Sequence, residues 1–487
     1  MKDKIIKSTL VYSISIFISR IFGFFRSIIV ARFLGPKLYG MWNALSIILE
    51  YNRYSSLGVL TAMNREIPFF RGKGDSAKVE RLRRTGFSMA CIPSFVVGLI
   101  LTLISIFIKP HAGTEWVMAL RTIAVLVFAR QLYEFFTLLL RSDNRFLYLS
   151  KILILFSVSD LILILVLVIR YGFYGFLWAM GINYVGIVLY IFLREYRRYN
   201  LKLFFEKDIL GYLIRLGMLM AIIGIIIDLR TTIDRLMIAR FLGVTELGYF
   251  GISYVLIQFI FLIPSALSQI VYPRLVEKYG SSNRDTSTLR KYIEVSTLGL
   301  AYLMPLLIGP IFILLPFGVK LLLPQYIYGI KAAQITILGL FFFSTGIIAA
   351  NFLITTDRLG WYLGFSFVAV LINILADYIL LKIGFGIEGV AFGGILFTSC
   401  IYATCILAFV MFHYLGHVFR VFLYMIKAYF PFFYTIVILM FFSYLKLGMA
   451  SRTVVFCVLY IPLLWKLERD TQILSLIFVN IRQGIKK

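Results

Sequence analysis

The sequence predicts an all-α, polytopic membrane protein with about 14 transmembrane helices. Its 487 residues are 61% hydrophobic, and charged residues make up 15%, against roughly 25% in an average soluble domain. The mean hydropathy of +0.92 exceeds what a water-soluble core can absorb. Composition therefore excludes a soluble enzyme, a nucleic-acid-binding module and a disordered chain. No nucleic acid partner is expected, despite the formal net charge of +26.

The transmembrane helices follow from apolar runs of about 20 residues. Inside lipid each run must satisfy its own backbone polar groups, and runs of this length do so as helices, because barrel strands would be about half as long. The two C-terminal runs show the weakest pattern. In order, the predicted spans cover residues 8–33, 40–62, 85–107, 117–139, 151–169, 174–193, 210–238, 246–270, 293–315, 332–354, 361–381, 387–410, 427–445 and 453–466.

The distribution of basic residues predicts the orientation of these spans. With the N-terminus in the cytoplasm, the inner segments contain 31 of the 49 Lys and Arg residues and the outer loops contain nine. Such an excess on one side is typical of cytoplasmic loops, which also attract anionic membrane lipids. We therefore predict a multi-pass protein of the plasma or inner membrane with both termini in the cytoplasm.

A repeated block divides the chain into two halves. Residues 31–40 read ARFLGPKLYG and residues 239–248 read ARFLGVTELG, and each block leads into an apolar span, a proline and a basic inner loop. Six spans separate equivalent helices, so both copies share one orientation, an arrangement that builds a central cleft in transporters. We predict two pseudo-symmetric six-helix lobes around a central cavity, residues 1–200 (N-half) and 201–415 (C-half). Two additional spans and a cytoplasmic tail follow over 416–487.

Arginines within the predicted spans are candidate substrate contacts, because ionisable residues at membrane depth usually line a cavity or form pairs. Guanidinium binds phosphate through a planar fork that never deprotonates, so a cavity rich in arginine favours a phosphorylated or otherwise anionic substrate. The candidates are Arg20, Arg26, Arg53, Arg121, Arg130, Arg230 and Arg235. Three acids lie one helical turn from a candidate and offer a structural alternative, a local ion pair: Glu50 with Arg53, Glu134 with Arg130, and Asp234 with Arg230.

The C-half contains acids that could bind a coupling ion. Asn373 and Asp377 are four residues apart on span 11 and so share one helical face. With an aspartate of span 7 they could bind Na⁺ or relay a proton. A buried Asn–Asp hydrogen bond is the alternative interpretation.

The motifs resemble those of the O-antigen-type polysaccharide flippases of the multidrug/oligosaccharidyl-lipid/polysaccharide exporter superfamily. The resemblance rests on the basic first span, residues 31–40, the Trp42-Asn43 pair, NREIP at residues 64–68 and DRLMIARFLG at residues 234–243. It implies two six-helix lobes around a V-shaped cavity and alternating access. It also implies translocation of polyprenyl-pyrophosphate-linked oligosaccharide to the outer leaflet.

The resemblance also implies roles for individual residues. Related lipid II flippases use two span-1 arginines spaced by six and one span-2 arginine, a pattern that Arg20, Arg26 and Arg53 match. Their span-8 Asp-Arg dipeptide is absent here, where Gln258 is the nearby polar residue. Some relatives bind Na⁺ through a span-7 acid, an Asn-x-x-x-Asp in span 11, and a carbonyl and a threonine in span 12. The matching positions are Asp234, Asn373, Asp377 and Val390, whereas Gly394 replaces the threonine.

The leading hypothesis is a flippase for lipid-linked oligosaccharide in cell-surface polysaccharide biosynthesis, and not an enzyme. Its expected partners are the polyprenyl-phosphate-linked oligosaccharide, membrane lipids, and glycosyltransferases or a polymerase of the same pathway. The alternatives are an ion-coupled multidrug exporter of the same superfamily and a polytopic glycosyltransferase or polysaccharide polymerase. No P-loop and no CxxC pair occurs, so no cofactor is expected beyond a coupling ion, Na⁺ or H⁺.

Overall fold

The computed structural model describes residues 2–108, 113–444 and 448–471, and this part of the chain is helical almost throughout. The α-helices are α1 (Lys2–Tyr51), α2 (Val59–Gly72), α3 (Ser76–Ile108), α4 (Thr114–Ser142), α5 (Phe146–Tyr199), α6 (Lys207–Phe241), α7 (Val244–Ile260), α8 (Leu262–Ser281), α9 (Arg290–Leu322), α10 (Ile330–Thr355), α11 (Leu359–Ile383), α12 (Gly386–Val390), α13 (Thr398–Leu415), α14 (Val418–Tyr444) and α15 (Met449–Thr471). Short 3-10 turns cover Asn52–Ser56, Thr286–Leu289 and Pro324–Gly329. A π-helical segment, Ala391–Phe397, joins α12 to α13.

Twelve helical segments of the described chain are long and apolar enough to cross a membrane. This confirms the predicted all-α, multi-pass class. Both of the weak C-terminal predictions, 427–445 and 453–466, correspond to such helices, α14 and α15, although residue 445 itself lies outside the described residues. The predicted tail beyond residue 471 also lies outside them.

Helix α1 folds back on itself at Gly35. Its φ of 69° lies in the left-handed region that only glycine adopts readily. The arms on either side meet the same ring: the guanidinium carbon of Arg26 is 5.8 Å from the Phe176 centroid, and the Trp42 centroid is 4.8 Å from it. A straight helix would hold Arg26 and Trp42 about 24 Å apart. The chain therefore reverses where the sequence predicts the short loop 34–39.

Helix α5 reverses in the same way at Gly172, whose φ is 56°. Beyond the turn, Gly175 packs directly against the backbone of Leu167. An unbroken helix would separate these two residues by about 12 Å. This reversal falls in the predicted loop between spans 5 and 6.

The glycine that ends the ARFLG block adopts the same backbone conformation in both copies. Gly35 has φ 69° and ψ 171°, and Gly243 has φ 92° and ψ 175°. A side chain at either position would be strained in this conformation. The repeat therefore preserves a backbone turn as well as an apolar pattern.

The two copies of the block also contact each other through equivalent residues. Gly40 packs on the backbone of Val244, and Gly248 packs on the backbone of Pro36. These two contacts exchange under the repeat, because Gly40 aligns with Gly248 and Pro36 with Val244. The two contacts are therefore equivalent to each other under the repeat.

The chain separates into two compact units. The first contains Met1–Arg235 and Val244–Gly248, and the second contains Leu236–Gly243 and Tyr249–Lys487. In the first unit, Met63, Phe135 and Leu139 are fully buried where α2 and α4 pack with α3. In the second, Phe341 and Phe432 stack with centroids 4.7 Å apart. The predicted lobe boundaries, 1–200, 201–415 and 416–487, stay predictions.

Candidate functional site

A polar cavity of about 280 Å³ lies within the first unit, and we call it the N-half cavity. Both arms of α1, both arms of α5 and helix α4 supply its walls, so the reversals at Gly35 and Gly172 are what assemble it. Its volume is close to the lower end of small-molecule sites, about 300 Å³. It is lined by Ser19, Phe22, Gly23, Arg26, Trp42, Ser46, Leu49, Glu50, Arg130, Phe156, Ser157, Asp160, Met180 and Tyr184.

The two arginines of the N-half cavity each pair with a carboxylate. Nε of Arg26 lies 2.6 Å from Oδ2 of Asp160, and Nη2 of Arg26 donates to Sδ of Met180 at 2.5 Å. Nε of Arg130 lies 3.3 Å from Oε1 of Glu134, the local pair that the sequence offers as an alternative. Sequence spacing had left Arg26 without an acid on its own helix. The structure brings Asp160 to it from α5.

The remaining carboxylate of the cavity, Glu50, binds an arginine of α6. Nη1 of Arg235 donates to Oε1 of Glu50 at 3.1 Å, and Nη2 donates to Oε2. This two-pronged geometry is the strongest that an arginine forms with a carboxylate. Arg235 is 2% exposed, so the carboxylate of Glu50 stabilises a positive charge that is shielded from water.

Arg53 lies one turn further along the same contact between the N-half helices and α6. It donates to Oδ2 of Asp228 and, at 3.0 Å, to the hydroxyl of Tyr54. The Tyr54 hydroxyl donates to the same carboxylate oxygen at 2.7 Å. Arg53 therefore has an acidic partner on α6, while its side chain stays exposed. The local pair of Glu50 with Arg53 was one sequence alternative, and the structure gives each residue a partner on α6.

Close backbone packing allows these pairs to form. Gly58 and Gly217 meet backbone to backbone, so the C-terminal arm of α1 and α2 lie directly on α6. A hydrogen bond of 2.5 Å from the Tyr212 hydroxyl to buried Glu66 extends the contact. We call this line of contacts the α2–α6 seam.

The other three predicted arginines lie apart from these pairs. Arg20 is exposed on α1, and within the described part of the chain it forms no ion pair. Arg121 is exposed on α4, where its Nε lies 3.3 Å from Oγ of Ser105. Arg230 is half-buried on α6, one turn before buried Asp234. The predicted local pairing of Arg230 with Asp234 stays a prediction.

The predicted cation ligands of the second unit lie in its interior. Asn373 and Asp377 are fully buried one turn apart on α11, and Val390 is fully buried at the end of α12. The π-helical segment after Val390 packs close to α11, because Gly393 contacts Ala376. Oγ1 of Thr398 donates to the Gly393 carbonyl at 2.8 Å.

These oxygen ligands suit Na⁺ or Ca²⁺ rather than a transition metal. No group of three or more His, Cys, Asp or Glu residues in the described ranges could hold a metal ion. Asp234, the predicted span-7 ligand, belongs to the first unit, and its part in a cation site stays a prediction.

Sequence reasoning identified the arginines but missed most of what surrounds them. Nothing in the sequence marks Trp42, Ser46 or Tyr184 as cavity residues, because each resembles an ordinary helix residue. A signal did exist for Asp160, a lone acid in an apolar span. Its distance along the chain from Arg26 concealed the pair.

The family follows from a match of the chain to a model described as polysaccharide biosynthesis protein, over residues 29–329. That match spans more than half of the 487 residues. The chain belongs to this polysaccharide biosynthesis protein family. A search of curated protein sequences finds no significant match.

Three solved structures have folds similar to that of this chain. An inward-facing multidrug resistance MATE family transporter is 14% identical, with a TM-score of 0.69 over 85% of this chain and 98% of that one. The lipid II flippase MurJ, in an inward closed conformation, is 15% identical, with a TM-score of 0.69 over 95% and 99%. A MOP superfamily transporter from Pyrococcus furiosus is 16% identical, with a TM-score of 0.58 over 82% and 93%.

These findings confirm the resemblance drawn from the sequence. The family has the MOP superfamily fold, which MATE transporters and MurJ share. The protein is therefore a multi-pass membrane protein of a polysaccharide biosynthesis family.

Proposed function

We propose that this protein is a transporter, a flippase that moves polyprenyl-pyrophosphate-linked oligosaccharide from the cytoplasmic to the outer leaflet by alternating access. The observation that carries the proposal is the N-half cavity, a polar chamber among membrane-spanning helices of a polysaccharide biosynthesis protein. A glycan crossing hydrocarbon needs such a shielded polar path, because each unsatisfied polar group in lipid costs several kcal/mol.

Fourteen spans and two cytoplasmic termini form part of the proposal. The reversals at Gly35 and Gly172 each divide one long helical segment into two arms. Each reversal adds one span, so the twelve apolar helical segments of the described chain support fourteen spans. The basic loops then fall on one side, as expected for the cytoplasm. Reporter fusions at residue 70 and at the C-terminus should both report cytoplasm.

The pyrophosphate contacts are proposed among the seven predicted arginines. Arg20 is the most available of them, because it is exposed on α1 and has no ion pair in the described chain. Arg121 is also exposed and forms no ion pair in the described chain. The remaining arginines with a known partner, Arg26, Arg53, Arg130 and Arg235, are held by carboxylates. A paired arginine can bind an anion only by sharing or losing its partner, which lowers its contribution.

Coupling to Na⁺ or H⁺ is proposed at Asn373, Asp377 and the Val390 carbonyl, all in the second unit, and a part for Asp234 stays a prediction. A buried carboxylate beside a buried amide on one helical face supports this assignment. An ion drives transport only if it binds two conformations with different affinity. An ion bound by residues of both α11 and the end of α12 would respond to a conformational change that moves these two segments apart.

The proposal is tested by reconstituting the purified protein into proteoliposomes. A fluorescent polyprenyl-pyrophosphate glycan is added to the lipid, and outer-leaflet label is bleached with a membrane-impermeant reductant. Active protein should make nearly all of the label accessible, against about half in empty liposomes. The Arg20→Ala variant should slow this exchange. Accumulation of a cationic drug without any glycan exchange would instead identify a multidrug exporter.

A further inference from the structure

The N-half cavity has no net positive charge to offer a phosphate. Two arginines and two carboxylates line it, and each of these groups lies in an ion pair. An incoming pyrophosphate would face Asp160 and Glu50 as well as the arginines. Like charges placed side by side at such a site cost several kcal/mol.

Several lining groups of the cavity present hydrogen-bond acceptors, beside the donors of its two arginines. Ser46 and Ser157 donate their hydroxyl protons to backbone carbonyls at 2.9 Å, and Ser19 does so at 3.4 Å. A serine hydroxyl that has donated its only proton presents lone pairs to the cavity. The carboxylates of Glu50 and Asp160 are acceptors as well. Sugar hydroxyls can donate to these acceptors and can also accept from the arginines, whereas ionised phosphate oxygens can only accept.

Aromatic rings form the remaining walls. Trp42 packs edge-on against Phe176 with centroids 4.8 Å apart, and Phe156 packs likewise against Tyr184 at 4.9 Å. Such packing fixes the ring orientations. Rigid apolar rings beside a few placed polar groups are the usual composition of a small-molecule site. Ring faces suit the C–H faces of a pyranose, and the acceptors suit its hydroxyl edge.

We propose that the N-half cavity is a subsite for one electrically neutral sugar residue of the glycan and not for the pyrophosphate. This inference rests on the proposed function and assigns the two parts of the substrate to different places. The sugar enters the charge-balanced cavity, while the pyrophosphate is left to exposed arginines such as Arg20.

Tryptophan fluorescence of the purified, full-length protein in lipid nanodiscs tests the proposal. The chain has five tryptophans, so the Trp42 signal is taken as the difference between wild type and Trp42→Phe. The probes are a panel of neutral methyl glycosides, glucuronate and inorganic pyrophosphate. We expect saturable changes in the Trp42 signal with at least one neutral glycoside and none with pyrophosphate.

Two variants assign the binding to the acceptors. Asp160→Asn should weaken glycoside binding about tenfold, as expected for loss of a hydrogen bond to a charged group. It should also give pyrophosphate a measurable affinity, because Arg26 then lacks its counter-charge. Ser46→Ala should weaken glycoside binding with less effect on stability. The matched control is Glu195→Gln, which breaks the pair of Glu195 with Arg145 (2.5 Å) outside the cavity and should leave binding unchanged.

A Trp42 response to pyrophosphate alone would overturn the inference. So would the absence of any response to every probe at concentrations up to about 100 mM, which is 100 times a Kd of about 1 mM. So would weaker binding in Glu195→Gln equal to that in Asp160→Asn. The proposed function fails separately: glycoside binding without lipid exchange in proteoliposomes removes the flippase and keeps the sugar subsite. Lipid exchange without glycoside binding removes the sugar subsite and keeps the flippase.

Discussion

Replacing Gly248 with alanine should destabilise the protein, because the added methyl group has no room. An ideal Cβ at Gly248 would lie 2.9 Å from Cα of Pro36 and closer still to the Pro36 carbonyl. Carbon atoms in good contact are about 3.5–4.0 Å apart, so the overlap is about 1 Å. Every obstructing atom belongs to the backbone and cannot rotate away, so the helices themselves must separate.

Overpacking of this kind typically costs about 1–3 kcal/mol, and we expect the upper part of that range. The measurement is the melting temperature of purified variants in one detergent at one heating rate. Gly186→Ala is the matched control, because nothing lies within 4 Å of its Cβ position on α5. Alanine should stabilise that helix by up to about 1 kcal/mol.

The equivalent glycine of the first block provides a second check. Gly40→Ala should be similarly destabilising, since its Cβ would meet the backbone of Val244. The double variant should cost less than the two single costs combined, because helices separated by one methyl already admit the other. A melting temperature of Gly248→Ala at or above that of Gly186→Ala would refute the reasoning.

Further expectations concern single side chains. Arg26→Gln should lower the free energy of unfolding by about 3 kcal/mol, since it leaves buried Asp160 without its partner, and adding Asp160→Asn should restore most of the loss. The measurement is the melting temperature, which should be lowest in the single variant, higher in the double variant and highest in the wild type. Asp377→Asn should slow transport and abolish stabilisation by Na⁺, whereas equal stabilisation of both proteins by Na⁺ and K⁺ would leave Asp377 a structural role. Hydrogen bonds from Ser287 lower the pKa of Asp285, so the cap on the turn that follows is present at neutral pH and is lost as the pH falls through that lowered pKa. Protection of the Ser287 amide against hydrogen exchange, relative to the intrinsic exchange rate at the same pH, should then fall to that seen in Asp285→Ala. Unchanged protection in Asp285→Ala at neutral pH would contradict the cap.

Much of the fold could be predicted because membrane helices obey local rules. A backbone in lipid has no alternative to its own hydrogen bonds, so each long apolar run becomes a helix. The turns at Gly35 and Gly172 were predicted as loops, and the structure shows helix arms that meet at a single glycine. The sequence alone could not distinguish a loop from two helix arms that meet at one glycine, because the φ angle of that single residue decides between them.

The candidate site was less predictable because its pairs join distant segments. The pair of Arg130 with Glu134 followed from helical spacing, since one helix supplies both partners. Arg26 with Asp160 and Arg235 with Glu50 depend on which helices pack together, and nothing near either residue in the chain records that. The arginines could be recognised as unusual, but whether each one faces an anion or a carboxylate is a property of tertiary structure.

The two copies of the repeat carry different charges, and this difference supplies the ion pairs of the contact with α6. Under the repeat, Arg20 aligns with Asp228 and Arg26 aligns with Asp234. Where the copies are alike, at Gly40 and Gly248, they pack symmetrically. Where they differ, an acid of the second copy neutralises an arginine of the first, as Asp228 does for Arg53. Had both copies kept arginine, this contact would join like charges and would be destabilised. Divergence of charge between the two copies therefore stabilises the α2–α6 seam.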